Sequence, residues 1–173
     1  MKKNELKLLV ELMRNSKRTD RELAEVLGIS AQTVSRTRSK LEKEGYIREY
    51  TAIPDFTKLG FEIFAITLIK LKQMDSETIE KARKVARMDV EKGYTETIFI
   101  ERGMGMGFDG VIVSLHENYS SYLRLRERIG QYGFLEVSEV QSFIVNLADE
   151  IHYKPLTLHT IGGYLLKINE ERE

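Results

Sequence analysis

Between Ser30 and Lys40 the run SAQTVSRTRSK sets hydrogen-bonding side chains at intervals that suit a groove of nucleic acid. At helical period, Gln32, Thr33, Ser35 and Arg36 lie away from the apolar Val34 and Leu41. Amide, hydroxyl and guanidinium groups are the ones that pair with base edges and phosphates. Ser30 at the helix start, with Arg38 and Lys40 farther along, completes the candidate contact set. An ordinary solvated helical hairpin can carry the same short pattern; the caps, the basic residues and the alternating segment after it favour DNA.

A second group lies near residue 105. Gly103, Met104, Gly105, Met106, Gly107 and Asp109 form a glycine-rich stretch whose amides could hold a carboxylate, with Asp109 placed for an amino group. The methionines add soft apolar surface. Together they make a candidate amino-acid site where two second domains meet; the competing reading is a tight hairpin or an inter-subunit contact. Gly105, Gly107 and Gly110 also fit GxGxxG, but VIVSL follows, a strand where a pyrophosphate site needs a helix N-terminus. His152 and His159 near Asp149 and Glu150 could be metal ligands, and His116 beside Glu117 could do acid-base chemistry. Lone histidines without supporting ligands are more often bystanders, so no metal, cofactor or catalytic residue is expected.

The elements that must present these residues can be read in turn. Thr19 and Glu22 form a capping box, and Leu23, Ala24 and Leu27 follow at helical spacing. Gly28 supplies a left-handed stop, Ile29 a plug for the corner, and Ser30 an N-cap for the next helix, Ala31 to Glu44. Two helices joined so tightly form a helix-turn-helix, with the first turns of the second projecting outward. Gly45 closes that helix, and Tyr46 to Ile53 alternates as the strand of a wing. Upstream, Asn4 is a plausible N-cap for a support helix with a stripe of Leu6, Leu9, Val10 and Met13.

Pro54 breaks strand pairing, and residues 54–60 form a linker. Beyond it the period changes. Phe61 to Leu71 is apolar on both faces, with Phe64, Ile66 and Leu68 alternating with Ile63, Ala65 and Ile69. A helix from Asp75 or Ser76 follows, carrying Ile79, Ala82, Ala86 and Val90 and ended by Gly93. Strands are then expected over Thr95–Glu101 and Phe108–Leu115, a helix over Ser120–Tyr132 closed by Gly133, and a last strand over Val137–Leu147. Tyr122, Leu125 and Ile129 face inward on that second helix. The order βαββαβ is ferredoxin-like, so the fold class is α+β: a winged helix-turn-helix over 1–53, the linker, a ferredoxin-like domain over 61–158, and an extension over 159–173. Two helices cover one face of a four-stranded sheet. The other, with Phe64, Ile66, Leu68, Ile98, Ile100, Val111, Val113, Phe143 and Val145 spread over the strands, predicts a homodimer or higher even oligomer.

Composition sets outer limits. The 173 residues are 42% hydrophobic and 31% charged, ordinary for a core-forming chain of one or two domains. No apolar run approaches the roughly 18 residues of a membrane span, and no signal-peptide core follows Lys2 and Lys3, so a cytoplasmic protein without membrane partners is expected. The absence of cysteine excludes disulfides, thiolate metal sites and a cysteine nucleophile. Net charge is zero, yet residues 1–50 hold 12 Lys/Arg against 8 Asp/Glu, and the remainder 15 against 19. A basic first third is the footprint of a polyanion binder.

The run LGISAQTVSRTRSKLEKEGYIREYTAIPDFTKLGF, Leu27 through Phe61, closely resembles the amino-terminal half of Lrp/AsnC, or feast/famine, transcription regulators. The strand and helix order after it resembles that family's sensing domain, and FIVNLADEIHYKPLTL (143–158) its ending. The resemblance implies an oligomeric regulator of double-stranded DNA with an amino-acid effector. It departs at Arg38, where an apolar residue is usual, and at Gly103–Asp109, which replaces a shorter Gly-x-x-Asp turn. Two alternatives stay open: a tetrapyrrole (sirohaem-type) decarboxylase of similar architecture, and an assembly module that does not bind DNA.

Overall fold

The Thr19 amide donates to the Glu22 carboxylate at 2.7 Å while the Glu22 amide donates to the Thr19 hydroxyl at 3.3 Å, so the capping pair starts a helix at Asp20. Gly28, at φ +67°, ends it, and Ser30 caps the next. The computed structural model describes residues 1–73, 75–92, 96–132, 135–151, 154 and 156–171. The chain divides into two units, one of residues 1–54 with 153–173, the other of 55–152.

The first unit contains α1 (Lys3–Arg14), α2 (Asp20–Leu27), α3 (Ala31–Lys43) and, from the far end of the chain, α6 (His159–Glu170). Leu8 and Leu12 of α1 pack with Leu23, Ala24, Val34 and Leu41, and Ile29 plugs the corner against them. Helix α1 starts earlier than expected: the Lys2 amide donates to the Glu5 carboxylate at 2.7 Å, which leaves Asn4 inside the helix instead of capping it. The single apolar stripe on α1 is also corrected, because Leu6, Leu8, Val10 and Leu12 are all buried. One helix can bury two sides only if both are covered, and α6 supplies the second cover. A Cβ on Gly162 would stand 3.0 Å from Val10 Cγ1, so the lack of a side chain there lets the two helices approach. Helix α6, within the stretch 159–173 read from the sequence as an extension, therefore packs on α1 of the first unit.

Residues 46–53 form no strand. The Tyr46 and Ile47 amides donate back to the Leu41 carbonyl at 2.9 and 3.2 Å, the Tyr50 hydroxyl donates to Glu42 at 2.7 Å, and no neighbouring segment offers a ladder. Alternation describes side chains, whereas a strand needs a second strand for its backbone. In the linker, Asp55 accepts from the Thr57 hydroxyl at 2.6 Å, and a single 3₁₀ turn, Thr57–Leu59, ends at Gly60 with φ +87°.

The second unit is βαββαβ: β1 (Ile63–Leu71), α4 (Ser76–Glu91), β2 (Thr97–Gly105), β3 (Phe108–His116), α5 (Tyr119–Gln131) and β4 (Val137–Asn146). The sheet runs β2-β3-β1-β4 with every pairing antiparallel, which is the ferredoxin-like topology. Asp75 caps α4, accepting from the Thr78 amide at 2.8 Å. The expected helix stops at Gly93 and Gly133 and the strand start at Thr95 lie outside the described residues, as do the side chains of Ala86 and Val90.

Register separates the two faces of the sheet. Ile63, Ala65, Thr67 and Ile69 lie opposite His116, Ser114, Ile112 and Gly110, on the side that Tyr122, Leu125 and Ile129 of α5 cover. The buried Thr67 hydroxyl is satisfied by Ser142 at 2.9 Å. On the reverse face Phe64, Ile66 and Leu68 lie beside Val113, Val111, Phe143 and Val145, and Phe143 is 70% exposed. A register shift between Thr97 and Phe99 corrects one assignment: Ile100 pairs with Ile112 on the helix side, and Phe99 takes the open side.

Candidate nucleic-acid interface

Helix α3 is fixed by contacts along its length. The Ser30 hydroxyl accepts from the Thr33 amide at 3.2 Å and lies 2.8 Å from the Thr33 hydroxyl, so both side chains serve the helix start. Val34 and Leu41 are sealed in the core. Arg38 extends to Asp20, the first residue of α2, with Nη2 2.6 Å from the carboxylate and 3.3 Å from the Arg18 carbonyl, and its guanidinium stands 6.0 Å from the centre of the Tyr50 ring. Lys40 reaches back to Glu5 of α1 at 2.7 Å. That hydrogen bond holds the Glu5 carboxyl below, and the Lys40 ammonium above, their ordinary ranges.

Two of the expected DNA contacts have partners within the unit. Arg38 ties α3 to α2, because a cation this close to the core needs a counter-charge. The same contact removes the argument for an assembly module, which rested on Arg38 alone. Lys40, although exposed, is engaged with α1, its tip reaching an acid on the neighbouring helix.

What remains outward is a narrower row. Gln32, Ser35 and Arg36 are exposed as expected, and Ser39 and Lys43 join them. Gln32, Arg36, Ser39 and Lys43 follow at intervals of four, three and four, directly opposite Val34 and Leu41. Arg36 and Lys43 make no hydrogen bond or ion pair among the described residues. The signal for Ser39 and Lys43 was the same helical period, carried one and two turns past Arg36. A row of one amide, one hydroxyl and two unpaired cations on a rigid helix can pair with base edges at its start and phosphates at its end.

The glycine stretch is a hairpin, not a loop. Gly103, Met104 and Gly105 belong to β2, Gly105 faces Phe108, and only Met106 and Gly107 turn, at φ +55° and +80°. Two positive φ angles in a two-residue turn are the type I′ arrangement, which matches the twist of the flanking strands. Asp109 Oδ2 accepts the Leu71 amide at 2.8 Å, tying the hairpin to the end of β1. Met104 and Met106 stand almost fully exposed. Gly105, Gly107 and Gly110 lead into β3, so no helix N-terminus faces them. The competing reading of these residues, a tight hairpin, describes their geometry.

His116 is 2% exposed, 2.8 Å from the Ser114 hydroxyl and edge-on to Tyr122 at 5.7 Å. Burial lowers its pKa below the usual histidine range. His159 begins α6; His152 lies outside the described residues. Among the described residues no three His, Asp or Glu side chains come together to hold a metal, and no helix is long and apolar enough to cross a membrane.

Residues 1–48 match a family model described as winged helix-turn-helix DNA-binding. The chain is 41% identical over 105 residues to the uncharacterized HTH-type transcriptional regulator PF2053 of Pyrococcus furiosus, a match covering 61% of this chain and 66% of that protein. Over 76 residues it is 36% identical to the leucine-responsive regulatory protein of Rhizobium meliloti, covering 44% of this chain and 49% of that protein. The chain thus spans just under two thirds of the first relative and about half of the second. Among solved structures, PH0061 of Pyrococcus horikoshii superposes with a TM-score of 0.72 at 25% identity, covering 90% of this chain and 98% of that one. An AsnC family transcriptional regulator from Agrobacterium tumefaciens gives 0.71 at 21% identity, covering 93% and 99%. The L-Met complex of the transcriptional regulator NMB0573 from Neisseria meningitidis gives 0.71 at 19%, again covering 93% and 99%.

Proposed function

The chain belongs to the Lrp/AsnC family of helix-turn-helix regulators, and from that premise we propose that it is a sequence-specific transcription regulator of double-stranded DNA, working in the cytoplasm as a homo-oligomer under the control of a small metabolite. The observation that carries this reading is the division of labour on α3. Arg38 and Lys40 are ion-paired to neighbouring helices, while Gln32, Ser35, Arg36, Ser39 and Lys43 form an outward row whose two cations have no partner among the described residues. In this reading Gln32 and Arg36 meet base edges, Ser35 and Ser39 flank them, and Lys43 meets a phosphate.

The open side of the sheet supports assembly: Phe64, Ile66, Leu68, Phe99, Phe143 and Val145 make an apolar face that no other described element of the second unit covers. A second sheet related by a two-fold axis would bury it and set two recognition helices to read half-sites about 34 to 36 Å apart, or multiples of that. The neighbouring fold seen with L-Met supports an amino acid as the metabolite. Selection of bound fragments from the native genome tests the whole reading. Enrichment of one two-fold symmetric motif is expected, and Arg36→Ala should relax it at one base pair of each half-site; recovery no different from random duplex would overturn it.

A further inference from the structure

On the helix side of the sheet, Arg102 of β2, Gly110 of β3 and Ile69 of β1 lie side by side in register. A side chain at Gly110 would rise under α4, yet a Cβ built there meets only the Glu101 carbonyl, at 3.5 Å, an ordinary contact. The space above Gly110 is therefore open. It forms part of a cavity of about 370 Å³ between the sheet and the two helices, roofed by Ile79, Ala82 and Val85 of α4 and walled by Ile100, Leu125 and Ile129. Protein interiors seldom leave voids larger than a water, and a void this size would take about a dozen waters at their liquid volume. Apolar walls give those waters few partners. The size falls within the range of small-molecule sites, which are mostly apolar with a few placed polar groups.

Charged residues also line the cavity. Arg102 is exposed at the margin of the cavity and makes no hydrogen bond or ion pair among the described residues. Arg83 of α4 also lines it but is bound to Glu80 at 2.5 Å, and the carboxylate of Asp109 is taken by the Leu71 amide. Glu101, by strand alternation, directs its side chain to the opposite face. Among the described residues Arg102 is thus the cation lining the cavity without a partner, and a planar carboxylate is its natural two-pronged partner.

We propose that this cavity binds a monocarboxylic acid with an apolar body, a medium-chain or arylalkyl acid, whose carboxylate pairs with Arg102 and whose hydrocarbon lies over Gly110 beneath Ala82. The site is internal to the second unit and independent of the DNA reading. Octanoate and 3-phenylpropanoate, titrated into the full chain by calorimetry and followed by melting temperature, test it without DNA. Saturable binding by at least one acid is expected, with a rise in Tm. Gly110→Val places a strand-favouring side chain on the cavity floor, and Ala82→Phe fills it from the roof. Each should weaken binding at least tenfold while melting no lower than the parent; if one variant does not fold, the other decides. Arg102→Gln should weaken the acids tenfold and leave octanol unchanged. No saturable binding of either acid to the parent, equal binding in the filled variant, or equal acid binding in Arg102→Gln would each overturn the proposal.

Discussion

Arg38 Nη2 stands 2.6 Å from the Asp20 carboxylate, so the middle of the recognition helix is tied to the first residue of the helix before it. The crossing of α2 and α3 determines which side chains of α3 project, and this ion pair sits on the crossing. Asp20 also lies in the first turn of α2, where a negative charge complements the helix dipole.

Arg38→Ala should therefore loosen the first unit without touching the outward row. A cost of about 1 kcal/mol is expected, below that of a fully buried pair because both partners remain partly exposed. Asp20→Ala should cost a similar amount, and the double variant should cost less than the two singles together. DNA affinity should fall alike on specific and random duplexes. Chemical denaturation of the four proteins checks the coupling; strict additivity would mean that the contact contributes nothing.

The outward row divides into reading and holding. Arg36→Ala should cost about 1 to 3 kcal/mol on the selected site and relax preference at one base pair, whereas Lys43→Ala should weaken all duplexes equally and flatten the salt dependence by about one ion. Binding isotherms at several salt concentrations on specific and scrambled duplexes separate the two. Equal losses on both duplexes for Arg36→Ala would make it a phosphate contact.

How far the sequence reached depended on the range of each interaction. The caps at Thr19 and Ser30 and the stop at Gly28 were legible because their partners lie within three or four residues. Arg38 stood out as anomalous, but its partner Asp20 belongs to another helix, and no local pattern joins them. The α1 stripe was misread because its second side is covered by α6, about 150 residues away in the chain. Glycine density at Gly103–Gly107 looked like loop, although Gly103, Met104 and Gly105 lie in a strand and only Met106 and Gly107 make the turn. The apolar open face was legible from alternation on β1, β3 and β4, whereas on β2 the register shift between Thr97 and Phe99 moved Phe99 to that face and Ile100 off it.

Phe143 is the most exposed large apolar side chain on that open face, so a charge there should prevent a second sheet from docking. Phe143→Asp is expected to reduce the mass measured by light scattering by half or more at micromolar concentration, with the far-UV spectrum unchanged. A parent protein that already scatters as a monomer, or a variant of unchanged mass, would remove the sheet face as the interface.

The last expectation concerns pH and follows from His116. Its imidazole is buried against Tyr122 and paired with the Ser114 hydroxyl, and burial holds its pKa below the ordinary value of about 6.5. Glu96 and Glu117 pull that value upward and Arg128 and Arg124 push it down, so the neighbouring charges oppose one another. Between the lowered native value and about 6.5 the unfolded chain binds more protons than the folded one, and stability must rise with pH across that interval. The contribution is complete above about pH 6.5 and is lost as pH falls toward the native value. Carboxylates begin to titrate nearer pH 4, so melting temperatures between about pH 5 and 7 isolate the histidines. The parent should melt progressively lower as pH drops through this window, and His116→Gln, which carries no titrating proton, should show a shallower slope from a lower plateau. Parallel slopes in the two proteins would assign the pH dependence to another group and leave His116 as a packing residue only.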